Sequence, residues 1–325
     1  MLESNSQSLL NPAVNSIDRR NKTAGFWNRV YHQRYLMLML MPGVICILLF
    51  MYAPLYGVII AFKEYNVGLG IFGSPWAGLK YFSEIIHDPL FYNALRNTFM
   101  FSILGLVLGF PIPIIFALMI NELIGVRLFK RTVQTISYLP HFLSWAFVAN
   151  FLIVFFSDRG TLNPLLISLG VLQNPFGFLS NTRSFIVIIL TSSIWKSFGF
   201  SSIIYLAAMT SVPQEMYEAA LMDGASRFQK IWYITLPSIK STVVVLLILS
   251  ISGMINSNFE QFYLLRNAFV LEYGQVLDVY TYLIGFQLGR FSYATAVGLF
   301  KSVVSFMLLI SANALSRRIA GESIY

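Results

Sequence analysis

Long apolar runs alternate with short polar segments along the chain, and the lengths of those runs set the architecture. Nearly uncharged stretches cover about 35–62, 97–120, 132–156, 184–211, 241–259 and 294–315. Each reaches or approaches the ~20 residues a helix needs to cross ~30 Å of hydrocarbon. Lipid offers the backbone no hydrogen-bond partners, so runs of this length predict helices. The expected fold class is an all-α polytopic membrane protein with six transmembrane helices spread over residues 35–318. Pro42 and Pro54 are expected to kink the first span. The second carries Gly105 and Gly109 at GxxxG spacing, a mark of close helix packing, with Pro111 and Pro113. Residues 1–34 are Asn/Ser-rich and then basic, and their beginning is expected to be disordered. Phe26, Trp27, Val30 and Tyr31 are expected to lay a short helix on the membrane surface. The first apolar run starts late and lacks a small-residue cleavage pattern, so it is not read as a signal peptide.

The densest polar stretch lies between the fourth and fifth runs. Val212 to Lys240 reads VPQEMYEAALMDGASRFQKIWYITLPSIK. Pro213 suits the first turn of a helix, where its missing N–H is not needed. Gly224 is a natural stop. Ser226 and Gln229 have capping-box spacing for a second helix, which Leu236-Pro237 is expected to close. The prediction is a helix–turn–helix on the membrane surface with small residues at the bend.

Six spans place both termini on one side, and the basic residues decide which. With the N-terminus inside, thirteen Lys and Arg fall in inner segments and seven in outer ones. The positive-inside rule then gives N-in, C-in, with 212–240 and the tail 319–325 in the cytoplasm.

The spacing in 212–240 resembles the EAA coupling motif of permease subunits of ABC importers. The matching positions are Glu215, Tyr217, Glu218, Ala219, Ala220, Asp223, Gly224, Ile234, Leu236 and Pro237. Further segments resemble the carbohydrate-importer permeases: Gly78 to Phe82 with Asp88, Phe91, Asn97 and Thr98, then Gly160, Asn163 and Gly170. The polar lead before Tyr35 and the Met41-Pro42-Gly43 entry to span one resemble the oligosaccharide and polysaccharide-fragment branch. The resemblance covers roughly residues 35 to 320. It implies the type I (MetI-like) permease fold, a second homologous permease subunit, two ATPase subunits carrying ATP and Mg, and an extracytoplasmic binding protein. It also implies a bacterial cytoplasmic membrane location, with the helix at Glu215–Met222 inserted in an ATPase groove. Glu218 is the candidate for a charged contact there, and Ala219, Ala220 and Gly224 allow close approach and the bend.

Composition narrows the alternatives. With 57% hydrophobic and 11% charged residues, a soluble globular class is excluded, and the net charge of +8 reads as topology rather than nucleic-acid binding. Gly68 to Gly73 fits GxGxxG but leads into Ser74-Pro75 instead of a helix, so it reads as a flexible turn. No Walker A lysine motif, HExxH or GxSxG occurs in the sequence, so no cofactor or metal is expected in this chain and none of its residues is expected to be catalytic. His32, His87 and His141 read as structural. Cys46, the one cysteine, reads as a buried small hydrophobe.

Ionisable residues within spans are costly and face cavities or partners. Trp145, Asn150, Trp195, Lys196, Asn256, Asn258, Glu260, Gln261 and Tyr263 are the candidates for a path carrying a hydroxyl-rich solute. Amides and carboxylates bond hydroxyls, and aromatic faces cover C–H surfaces. The competing reading pairs Lys196 and Lys301 with acidic groups or backbone carbonyls, and uses the asparagines to tie helices together. At the level of function, the alternative is a stand-alone carrier or channel, which typically shows an internal repeat not evident here.

Overall fold

The computed structural model of the chain describes residues 33–123, 126–319 and 321. The expectations for the segment before Gln33 and for most of the tail lie outside the described residues. Among those described, all regular elements are helical, and Lys63 and Trp76 form an isolated bridge. In order the helices are α1 (Arg34–Phe62), α2 (Lys80–His87), α3 (Pro89–Asn121), α4 (Arg127–Phe142), α5 (Trp145–Phe156), α6 (Leu162–Ser168) and α7 (Thr182–Thr210). They continue with α8 (Gln214–Met222), α9 (Arg227–Ser238), α10 (Lys240–Ser252), α11 (Phe259–Leu265), α12 (Leu277–Tyr282) and α13 (Phe291–Ile319). Four of them, α1, α3, α7 and α13, are long and apolar enough to cross a membrane. Counting the bent pairs α4–α5 and α9–α10 as one span each raises the number to six.

The chain divides into two compact units at Ile59 and Ile60. In the first, an α-helix over Arg34–Ile47 carries Pro42 inside it. It widens to a π-type turn at Leu48–Tyr52 and tightens to 3-10 geometry from Ala53. Pro54 sits at that changeover, where its missing N–H removes a donor from the α register. Cys46 is exposed, not buried as expected. On a spanning helix an apolar side chain can be satisfied by lipid as well as by a protein core.

In the second unit, local chemistry moves several boundaries. α3 starts at Pro89, well before position 97, because Asp88 caps it by accepting from the Leu90 N–H at 2.8 Å and Pro89 stands in the first turn. The third span is not straight. α4 and α5 meet at 94°. Pro140 lies in the last turn of α4, and Ser144 opens α5 by accepting from the Phe147 N–H at 3.3 Å. The fifth span ends at Ser252 and not near 259. A non-helical stretch follows before α11, and a 62° bend at Ile239 separates α9 from α10.

Three buried clusters hold this unit together. One joins Phe101 of α3, Leu152 of α5, Phe185 and Ile189 of α7, and Phe262 of α11. A second joins Ile85, Phe91, Leu277, Tyr280 and Tyr293 from α2, α3, α12 and α13. A third, smaller one gathers Ala117, Tyr205, Met209 and Ile239. Large apolar side chains such as Val107, Ile115, Val187 and Ile310 stay exposed along the long helices. That pattern is a liability in water and the norm in lipid.

The glycine pattern of span two marks helix packing at one of its two positions. A Cβ at Gly105 would meet nothing within 4 Å, whereas one at Gly109 would lie 3.3 Å from the Ile194 side chain of α7. The packing is closer still at Gly199, where a Cβ would lie 2.0 Å from the Ser137 carbonyl oxygen. α4 thus presses its backbone directly onto α7.

Candidate functional site

Two regions carry functional chemistry: a polar knob at α8–α9 and a cavity between α3, α7, α10 and the stretch before α11. The knob is built by local signals. Pro213 occupies the N-cap of α8, one position before the expected first turn. The helix ends at Gly224, whose φ of +75° places it in the left-handed region. There the Gly224 and Ala225 N–H groups return to the Leu221 and Ala220 carbonyls at 3.1 and 2.9 Å. The capping box forms as expected: the Gln229 N–H donates to Ser226 Oγ at 3.3 Å, and the Ser226 N–H donates to Gln229 Oε1 at 2.8 Å.

α9 ends at Ser238, one residue past Leu236-Pro237, and the chain bends by 62° there. A π-type turn at Ile231–Thr235 precedes it, a wide turn that accommodates the donor Pro237 lacks. The hydroxyls of Tyr217 and Thr235 meet at 2.9 Å and lock α8 against α9. Glu215, Glu218, Ala219, Asp223, Gly224 and Pro237 are exposed, whereas Tyr217, Ala220, Ile234 and Leu236 are half-buried. Leu221, Met222, Phe228 and Trp232 are exposed beside them. The knob is therefore locked inside, and its outer face mixes acidic side chains with large apolar ones.

The cavity has a volume of about 560 Å³. Ser193, Ser197 and Ser201, four residues apart on α7, line one wall, and Gly105 and Gly109 of α3 line another. Ser102, Ser250, Asn256, Ser257, Asn258 and Gln261 add hydroxyls and amides, and the lining holds no Asp, Glu, Lys or Arg. Such a wall can exchange hydrogen bonds with hydroxyl groups without holding an ion.

The nine path candidates do not come together. Asn256, Asn258 and Gln261 line the cavity, but Gln261 is buried and donates to the Ile189 carbonyl at 2.8 Å and to Ser192 Oγ at 3.0 Å. It clamps α11 to α7. Lys196 donates to the His141 carbonyl at 2.8 Å and stands 5.5 Å from the Trp145 ring centre, so this lysine joins α7 to α4 and α5. Glu260 is exposed at the start of α11. Trp195 borders a separate apolar pocket of about 240 Å³ with Phe147 and Phe151. Asn150 is exposed on α5. Tyr263 stacks on Phe259 at 5.2 Å, and the Arg266 guanidinium lies 4.7 Å from its ring centre.

Other sequence signals acquire structural roles. The glycines at 68–73 include a single helical turn at Gly70–Gly73 instead of a free turn, and buried Lys63 donates to the Ile71 carbonyl at 2.7 Å. His87 Nδ1 lies 2.8 Å from the Ser83 carbonyl, and His141 stacks on Phe200 at 4.0 Å. His32 lies outside the described residues. Asn97 donates to the carbonyls of Glu272 and Gln275 at 2.6 and 3.1 Å. Asn163 accepts from the Phe176 N–H at 2.8 Å. Asp88 accepts from Tyr280 and Tyr293, joining α3, α12 and α13.

Residues 109–321 match the family described as the binding-protein-dependent transport system inner membrane component. The chain belongs to this permease family. The match takes in the cavity wall from Gly109 onward and the whole knob. Among curated relatives, the polygalacturonan/rhamnogalacturonan transport system permease protein YteP of Bacillus subtilis (strain 168) is 43% identical, over 97% of this chain and 98% of its own. Protein LplB of the same organism is 44% identical, over 90% and 91%. A solved bacterial ABC transporter involved in the import of the acidic polysaccharide alginate contains a chain that superposes with a TM-score of 0.81 at 38% identity, covering 90% of this chain and 98% of that one.

As a permease the protein is a multi-pass membrane component, and its polar features take meaning from that. The sequence reading missed the α7 serines, although their four-residue spacing is visible in the sequence. It also missed Asp278. That residue lies in a segment without an apolar run, and its Oδ2 accepts from the Ser257 N–H and Oγ at 2.7 and 2.8 Å while Lys301 pairs with Oδ1.

Proposed function

We propose that the chain is the permease subunit of an ATP-driven importer that carries a sugar, an oligosaccharide or polysaccharide fragment, across the bacterial plasma membrane. A binding protein outside the cytoplasm delivers the solute. A second, homologous permease completes the path, and two ATPase subunits, which hold the ATP and Mg, dock at the knob. The observation that carries the reading is an uncharged cavity, apolar over most of its wall but set with hydroxyls and amides, in a chain that also presents a knob of two locked helices. Relatives named for polygalacturonan/rhamnogalacturonan transport and for import of the acidic polysaccharide alginate support a solute derived from a polysaccharide, whose hydroxyls this wall can bond. Coupling needs a knob that is firm, since a conformational change is driven only by free energy that differs between the two states.

The test is reconstitution. The chain is co-expressed with an ATPase, a second permease and a binding protein encoded beside it, and ATP hydrolysis is measured in liposomes with oligogalacturonides of defined length. We expect hydrolysis stimulated by the loaded binding protein and uptake of the labelled sugar. A pure, folded chain that associates with no ATPase and moves solute alone would replace this reading with a stand-alone carrier.

A further inference from the structure

We propose that Asp278 and Lys301 form a strut that sets where Asn256 and Asn258 stand on the cavity wall, which makes both charged residues positioning residues for solute passage. The inference rests on the reading of the cavity as the solute path.

The argument starts from the break in the fifth span. Six residues, Gly253 to Asn258, separate α10 from α11. Backbone outside a helix must find its hydrogen bonds elsewhere, and within a membrane it does so only against protein or a water-filled space. Here three elements supply them. Ser305 of α13 donates to the Ser252 carbonyl at 2.6 Å, and Ser102 of α3 donates to the Met254 carbonyl at 2.5 Å. Asp278, on α12, takes both the N–H and the hydroxyl of Ser257 on one oxygen, at 2.7 and 2.8 Å.

Its other oxygen takes the ammonium of Lys301, which projects from the spanning helix α13. Side-chain exposure is 22% for Asp278 and 13% for Lys301, so water screens the pair weakly. A buried pair whose only role were stability could often be replaced by apolar residues at no loss. This carboxylate does more than meet a cation. It bridges α13 to the backbone of Ser257, and the two neighbours of Ser257 are the asparagines on the cavity wall. Asn256 also borders a second space of about 440 Å³, which Lys301 lines. Asn258 thus borders the cavity, Lys301 borders the second space, and Asn256 reaches both.

The test separates the strut from the path. In a Cys46→Ser background, Asn258→Cys is labelled with a charged methanethiosulfonate reagent, and Ser201→Cys on the opposite wall serves as the control. Adding Asp278→Asn should change the labelling rate at position 258 by about tenfold, as expected for losing hydrogen bonds to a charged partner, and leave position 201 unchanged. Lys301→Met combined with Asp278→Asn gives the same result without stranding a charge, and Lys301→Arg with Asp278 intact keeps the parental rate. In the same strut variants with Asn258 intact, oligogalacturonide uptake should fall while ATP hydrolysis stimulated by the loaded binding protein persists. Identical labelling rates with and without the carboxylate overturn the strut. Altered labelling with parental uptake keeps the strut but overturns its role in passage, and with it the reading of this wall as the path.

Discussion

The carboxyl of Asp88 caps α3 and receives the hydroxyls of Tyr280 and Tyr293, themselves 2.8 Å apart. Burial pushes its pKa up, but the hydrogen bonds from the two tyrosines and from the Leu90 and Phe91 N–H groups outweigh that and leave it below the ordinary carboxylate value. The sign of the linkage follows. A depressed folded-state pKa adds stability that is complete above the unfolded value and is lost as pH falls through the lowered one. We expect the melting temperature of the detergent-purified protein to drop as pH falls below about 4, the carboxylate range. Asp88→Asn should lower stability at neutral pH and flatten that acid limb. An acid limb as steep in the variant as in the parent would assign the effect to other carboxyls.

At the scale of elements, the knob joins two short helices through one left-handed glycine and one pair of hydroxyls. Gly224→Pro should disrupt the bend, because proline fixes φ near −65° where the chain needs +75°. Glu218→Lys reverses an exposed charge without touching the fold. Both variants should insert and assemble, yet lose uptake by tenfold or more, about 1.4 kcal/mol of coupling, while their ATPase partners still hydrolyse ATP. Parental uptake in both would remove the knob from the coupling path. What was legible here was local: Ser226, Gln229 and Gly224 announce their roles within a few residues. The wide turn at Ile231–Thr235 was not legible, nor was the contact between Tyr217 and Thr235, eighteen positions apart. The same division explains the spans. Their existence follows from run length, but the 94° and 62° bends depend on packing that no single run records. The candidate path divided likewise: Asn256 and Asn258 reached the cavity, while Lys196 and Gln261 were taken up by helix contacts between distant segments.

Across the whole molecule, charge and bulk are sorted by position. The cavity wall carries no ion, and the nearest buried pair, Asp278 and Lys301, is turned away to hold the backbone. Part of the free space lies where α3 presents Gly105 and a larger residue would present a side chain. Gly105 has nothing within 4 Å of the place a Cβ would occupy, so a larger residue there would meet the open volume rather than a neighbour. Gly105→Trp should consequently leave the protein folded and assembled, because the indole fills space that no other atom uses. An indole is among the bulkiest side chains, and it would project into a cavity of about 560 Å³. Uptake of oligogalacturonides should fall more than tenfold, while association with the ATPase and the binding protein is retained in co-purification. Gly105→Ala, one methyl group, should transport at close to the parental rate. If the tryptophan variant assembles and still imports at that rate, the solute does not pass between α3 and α7.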